Sequence, residues 1–204
     1  MNPIVVAITG ASGACYGLRL IELLLASRRP VALILSDAGR KVLNFERGLD
    51  WPEETALLQT KAREHFGARE LLRIYGCGDL FASVASGSSA PEAVVILPCS
   101  MGTLGRIAQG LSGNLIERVA DVALKERRPL ILAPRETPLH SIHLENMLRL
   151  SRAGAIIAPA MPAFYQRPAT LEDLTDFMAG KILDLLRIPH SLFPRWGATE
   201  QEAE

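Results

Sequence analysis

The chain has 204 residues, 49% of them hydrophobic, which suits one domain of ordinary to large size with a sizeable buried core. Basic and acidic residues balance at 22 each, so no bulk field points to nucleic acid. Cys15, Cys77 and Cys99 are odd in number, far apart and outside any C-x-x-C or zinc-type Cys/His spacing, which argues against a disulfide framework and for a reducing compartment.

In chain order, residues 4–9 form a β-rich apolar run that enters directly, with no basic segment leading into a cleavable apolar stretch. Gly10, Ala11, Ser12 and Gly13 end it. Helical spacing follows over 14–27 through Leu18, Ile21, Leu24 and Leu25. A second apolar run at 31–35 stops at Ser36 and Asp37, and a helix is predicted over 38–46. Trp51-Pro52 is predicted to open a more polar helix reaching Phe66. A short strand at 71–75 precedes a small-residue loop, 83–91. Residues 93–97 read as a buried strand closed by Pro98, Cys99 and Ser100. Helices are predicted over 103–109 and 114–126, a strand at 130–133, a helix over 139–152, a short strand at 155–158 and an amphipathic helix over 171–186.

Strands that are unbroken apolar runs and alternate with helices call for a parallel sheet covered on both faces. The expected fold is α/β, a three-layer Rossmann-like (flavodoxin-like), mostly parallel sheet. One domain is expected over 1–188, with a tail over 189–204 that is partly docked and partly frayed. No apolar run approaches the ~20 residues needed to span a membrane, so a cytoplasmic protein is expected.

Ligands of open α/β sheets bind beyond the carboxyl ends of the strands. Those ends deliver Gly10, Ala11, Ser12 and Gly13, then Ser36, then Cys99, Ser100, Met101, Gly102 and Thr103, then Arg135 and Glu136. Glycines and small hydroxyl residues at helix starts present backbone N–H groups to a phosphate. Of the 22 basic residues 18 are arginine, whose forks suit phosphate and carboxylate. Arg135 and Glu136, held between Pro134 and Pro138, are placed to grip an anion and move a proton.

Taken singly, several of these signals are ambiguous. Ser12 stands where the second glycine of G-x-G-x-x-G belongs, so the first turn is either a phosphate cradle or a tight βα turn without a ligand. No tyrosine has Lys four residues on, and there is no Walker lysine. His140 and His143, three apart on a predicted helix, suit a metal or simple packing. Cys99 is either a nucleophile or a buried small thiol. Arg127 and Arg128 are either ligands or a solvated helix end. Tyr165 is either core or a ligand group.

The stretches TGASGACYG (9–17), ASGSSAP (85–91), LPCSMGTL (97–104), NLIERVADVALKERRPLILAPRETPLHSIHLENM (114–147), MPAFYQRP (161–168) and PRWG (194–197) occur together in that order. In them the chain resembles the UbiX-type flavin prenyltransferases, a UbiX/Pad-like family earlier described as aromatic acid decarboxylases. The resemblance implies transfer of a dimethylallyl group from dimethylallyl monophosphate to N5 and C6 of reduced FMN. It implies no metal, a product of prenylated FMN passed to a UbiD-type decarboxylase, and a homododecamer with sites at subunit contacts. Carried over residue by residue, it assigns Gly10, Ala11, Ser12, Ser36, Ser100, Met101, Gly102, Thr103 and Arg135 to FMN. It assigns Ser12 and Glu46 to the surroundings of flavin N5, and Arg118, Lys125, Arg135, Glu136, Tyr165 and Lys181 to the prenyl phosphate. The implied catalytic residues are Ser12, Glu46, Lys125, Glu136 and Trp196, with Glu136 exchanging a proton with phosphate or flavin and Trp196 an aromatic wall for an allylic cation. Two rivals accompany this reading. One is an FMN-dependent decarboxylase of the cysteine-decarboxylase class, disfavoured because the histidines sit in SIHLENM rather than in an early motif. The other is a flavin-storing binding protein.

Overall fold

The computed structural model describes residues 2–68 and 70–194. Six strands form one all-parallel sheet: β1 (Ile4–Ile8), β2 (Val31–Leu35), β3 (Leu72–Tyr75), β4 (Ala93–Cys99), β5 (Leu130–Pro134) and β6 (Ile156–Ile157). Their order is β3-β2-β1-β4-β5-β6. Every residue of β1, β2, β4 and β5 is buried, as strands covered on both faces require.

The two faces carry separate cores. Ile4, Val6 and Ile8 point to the layer of α1 (Ala14–Ala26), α2 (Asp37–Arg47), α3 (Thr55–Phe66) and α7 (Leu171–Leu185). Val5 and Ala7 point to the layer of α4 (Met101–Ala108), α5 (Leu115–Lys125) and α6 (Ser141–Arg152). The three-layer expectation is therefore met. The chain reverses direction across the sheet between β1 and β4, whose register pairs Ile4 with Ala93 and Ala7 with Ile96. In such sheets that reversal opens a crevice at the strand carboxyl ends.

Local boundaries differ from the sequence expectation at several elements, and α4 begins at Met101 rather than at Thr103. α3 begins at Thr55, not at Trp51, because Trp51 is buried against His65 and Phe66 and precedes a proline that disfavours helical backbone. α6 begins at Ser141, with the His140 side chain accepting from the His143 N–H as its cap. β4 continues through Pro98 to Cys99. The 83–91 segment carries two short 3-10 turns, Ser83–Ala85 and Gly87–Ser89. After α7, Ile188 is buried and the Phe193 ring packs on Phe177, so the chain up to Pro194 folds back onto the last helix. Trp196 and most of PRWG lie outside the described residues.

Candidate functional site

The carboxyl ends of β1 and β4 are tied together by Thr9, a buried polar residue. Its hydroxyl donates to the Pro98 carbonyl at 2.8 Å and accepts from the Ser100 N–H at 2.7 Å. Two close packings set the loops on either side. A Cβ at Gly10 would stand 2.5 Å from the Ala38 methyl, so α2 rests directly on the first loop. A Cβ at Gly17 would stand 2.5 Å from the Leu97 carbonyl oxygen, so α1 rests directly on β4.

Of the helix N-termini at this edge, those of α1, α2 and α4 are each in a different state. At α1 the Glu46 carboxylate accepts from the Gly13 N–H with both oxygens at 3.1 Å, and from the Ala14 N–H at 3.0 Å. An acid from α2 thus already occupies the positive end of α1. It also faces Tyr16, whose phenol is pushed up by burial and then by Cys15 and Glu46. At α2 the Ser36 hydroxyl caps the Gly39 N–H at 3.0 Å, but Asp37 sits in the first turn and disfavours a second anion. At α4 the Ser100 hydroxyl caps the Thr103 N–H and donates to the Thr103 hydroxyl at 3.0 Å, with no acid in the first turn. A Cβ at Gly102 would meet nothing nearer than 3.6 Å, so the backbone there is open to a ligand. Of the three, α4 is the end suited to a phosphate.

Arg135 joins this edge from β5. Its Nε donates to the Ser12 carbonyl at 3.2 Å, and its own N–H donates to the Cys99 carbonyl at 3.3 Å. Gly10, Ala11, Ser12, Ser36, Glu46, Ser100, Met101, Gly102, Thr103 and Arg135 therefore share one edge. Glu136 follows on the same exposed loop and accepts from the Thr137 N–H at 3.0 Å. Tyr165, beyond β6, is half exposed with its ring edge-on to Phe177.

The remaining residues assigned to the prenyl phosphate are not brought to this edge. α5 starts at the carboxyl edge, where the Leu115 N–H donates to the Cys77 carbonyl at 2.7 Å. It ends where β4 and β5 begin, the Val94 N–H donating to the Pro129 carbonyl at 2.9 Å. Lys125 thus lies about 15 Å along the helix from Leu115, at 1.5 Å per residue. There it pairs with Glu126 against the Gly87 backbone. Arg118 sits between, donating to the Ala85 carbonyl at 3.1 Å and to Asp121 at 2.9 Å. Lys181 is far along α7, with Nζ 3.9 Å from Asp184.

Other sequence candidates resolve. Burial pushes the Cys99 thiol up to about 12, so it is a packed thiol rather than a nucleophile. His140 is a helix cap stacked on His143, ring centroids 3.4 Å apart, while His143 Nδ1 is buried without a hydrogen-bond partner among the described residues. Thr9, Gly17 and Gly39 organise the edge; the first two stand at the ends of the TGASGACYG stretch without a role assigned from sequence, and Gly39 lies outside every such stretch. Thr9 was the findable one, a polar residue closing an otherwise apolar strand.

An open parallel sheet with a hydroxyl-rich, amide-rich crevice at its reversal defines a nucleotide- or flavin-binding α/β protein. Residues 1–183 match the family model described as Flavoprotein. The chain is 52% identical over 195 residues to the flavin prenyltransferase UbiX of Pseudomonas aeruginosa, covering 95% of this chain and 93% of the relative. The crystal structure of AnUbiX in complex with FMN and dimethylallyl pyrophosphate superposes with a TM-score of 0.87. It is 39% identical and covers 98% of this chain and 99% of that one. A dodecameric FMN-dependent UbiX-like decarboxylase from Escherichia coli gives a TM-score of 0.85 at 34% identity, over 96% of this chain and 100% of its own. The chain belongs to the UbiX-type flavin prenyltransferases within the flavoprotein family.

Proposed function

We propose that the protein is a flavin prenyltransferase that joins the dimethylallyl group of dimethylallyl monophosphate to reduced FMN. The C1–O bond of the prenyl phosphate breaks and inorganic phosphate departs as C1 bonds to flavin N5, which gives up its proton; the prenyl alkene then takes a proton at C2, its C3 bonds to flavin C6, and the C6 proton is lost. The observation that carries this reading is the Arg135-Glu136 loop. One guanidinium is fixed on the Ser12 carbonyl, in the flavin loop, while the adjacent carboxylate remains exposed and free of any cation among the described residues.

The roles follow from position. Gly10, Ala11, Ser12, Ser36, Ser100, Met101, Gly102 and Thr103 hold the flavin by amides and hydroxyls. Arg135 bridges flavin and prenyl phosphate. Glu46, fixed by three N–H bonds, and Ser12 stand where the proton of N5 is handled. Arg118, Lys125, Tyr165 and Lys181 stabilise the departing phosphate by charge-assisted hydrogen bonds, and Glu136 exchanges its proton. Trp196 shields the allylic cation. Because Arg118 and Lys125 run away from Arg135 within one chain, a complete site takes them from a second copy. The dodecameric relative supports that reading. α6 also fits it, with Ile142, Leu144 and Leu148 more than half exposed. We further propose that residues 1–188 act as one flavoprotein domain with 189–204 as its tail. In this reading the protein works in the cytoplasm without a metal and hands prenylated FMN to a UbiD-type decarboxylase.

The test mixes the folded protein with reduced FMN and dimethylallyl monophosphate under anaerobic conditions and weighs the flavin by mass spectrometry. FMN enlarged by one five-carbon unit is expected. Recovery of unmodified FMN only would refute the proposal.

A further inference from the structure

The N-terminus of α4 carries a cation that none of these roles uses. Arg106 lies on the second turn, and its side chain runs back toward the start of the helix, as helical side chains do. Its Nη2 donates to the Thr103 hydroxyl at 3.4 Å, and its Nη1 lies 3.6 Å from where a Cβ on Gly102 would stand. The guanidinium therefore lies beside Gly102 and leaves its backbone open. It is held from behind by Glu117, which accepts from Arg106 Nε at 2.5 Å.

That anchor is a built one. Glu117 is only 2% exposed, and it also accepts from Asn114 Nδ2 at 2.7 Å and from the Gly113 N–H at 2.8 Å. Its position is thereby fixed from α5 and from the loop before it. The Arg106 side chain is about half exposed, and its Nη1 has no protein partner among the described residues. A cation over a helix N-terminus opposes the helix dipole. A buried carboxylate is thus maintained to hold a positive charge where the fold alone disfavours one. Breaks of a local rule of this kind concentrate at functional sites. An anion set between the α4 amides and the guanidinium resolves the conflict.

We propose that Arg106, positioned by Glu117, is a further binding residue for the phosphate of FMN, beside Ser100 and Thr103. The inference rests on the flavin reading and deepens it by naming which end of the flavin α4 receives. Of the starts of α1, α2 and α4, the α1 amides are filled by Glu46 and the α2 start carries Asp37, whereas the α4 start carries no acid.

Titration of FMN and of riboflavin, which lacks the phosphate, separates phosphate recognition from general damage. Arg106→Gln is expected to weaken FMN binding by about ten- to hundredfold, the loss of a charge-assisted contact, and to leave riboflavin affinity unchanged. Arg106→Lys should recover part of the loss, since it keeps the charge but not the fork. Glu117→Gln should show a smaller FMN-selective loss. Should that variant not fold, the half-exposed Arg106→Gln still decides the matter. Equal FMN affinity in Arg106→Gln and wild type overturns the inference, as does a loss shared equally by both flavins. A wild-type chain that binds neither flavin overturns the flavin reading and this inference with it.

Discussion

Gly17→Ala and Gly102→Ala make the same chemical change in two helices and are expected to move stability in opposite directions. In each case removing a glycine from a helix favours folding by about 1 kcal/mol. At Gly102 the new methyl meets only Arg106 Nη1, at 3.6 Å, the end of a flexible side chain. The gain is kept there. At Gly17 the methyl would stand 2.5 Å from the Leu97 carbonyl oxygen and 2.8 and 2.9 Å from Ile8 Cγ1 and Cδ1. Relief to an ordinary carbon–oxygen contact of roughly 3.3–3.6 Å requires α1 to move off the sheet by about 1 Å. Overpacking of this kind costs about 1–3 kcal/mol, which outweighs the helical gain at the upper end and cancels it at the lower. The obstacle is strand backbone, so the upper end applies, with a net loss of about 1–2 kcal/mol. For a chain of this size that lowers Tm by roughly 2–8 °C, while Gly102→Ala leaves Tm unchanged or raises it by up to about 4 °C. Thermal melts without flavin, at matched protein concentration, compare the two. A Gly17→Ala protein that melts at or above wild type would show that α1 is not held by this contact, and the account of the edge would fail. Because the same shift carries the Gly13 and Ala14 amides away from Glu46, Gly17→Ala should also lose flavin affinity.

Glu136→Gln should bind FMN like wild type and lose prenyl transfer, checked by titration and single-turnover mass spectrometry; retained turnover would contradict its proton role. Lys125→Ala and Glu136→Gln should each be inactive alone, yet regain about a quarter of wild-type activity when co-expressed at equal levels, if each site draws Lys125 and Glu136 from different copies. No recovery in mixed assemblies would place both in one copy. Cys99 sets an alkaline limit. Its folded-state pKa lies above the unfolded value of 9.0, at about 12, so the unfolded chain binds fewer protons between those limits. Stability present below pH 9 is lost as pH rises, by about 1.4 kcal/mol per unit through that window. Tyr16 and Cys77, also pushed up by burial, add to the loss. Cys99→Ala should shallow the slope of Tm against pH above 9, and an unchanged slope would refute the assignment.

The fold was legible because its strands are buried on both faces and read as unbroken apolar runs. Ile4–Ile8, Val31–Leu35 and Leu130–Pro134 are such runs, and helical periodicity fills the gaps between them. Boundaries failed where tertiary packing overrode local pattern, as at Trp51, which is drawn into the core instead of starting a helix. The motif residues of the carboxyl edge were legible as strand-end loops. Arg106 and Glu117 were not, because a half-exposed arginine on an amphipathic helix looks like any surface charge until its buried partner is seen. The separation of Lys125 from Glu136 follows from topology rather than from motif. A helix joining two parallel strands runs antiparallel to them, so a residue just before β5 lies at the edge opposite a residue just after it.

That separation also gives a physical reason for the surface around the site. Residues 135–140 are exposed throughout, and α6 behind them buries only Leu150 while leaving Ile142, Leu144 and Leu148 largely open. An isolated chain would leave Leu144 and Leu148 in water near the exposed Arg135 and Glu136. Leu144 and Leu148, one turn apart on the same side of α6, form an exposed apolar pair suited to an interaction site. Covering it with further copies removes the apolar cost and, in the same step, is the arrangement that can bring the basic end of one α5 to the Arg135-Glu136 loop of another. In the proposed function, assembly and catalysis share one requirement. Charge placed on α6, as in Leu148→Glu, should reduce prenyl transfer in proportion to the loss of oligomer seen by light scattering. Full activity in a dissociated Leu148→Glu protein would show that one chain suffices.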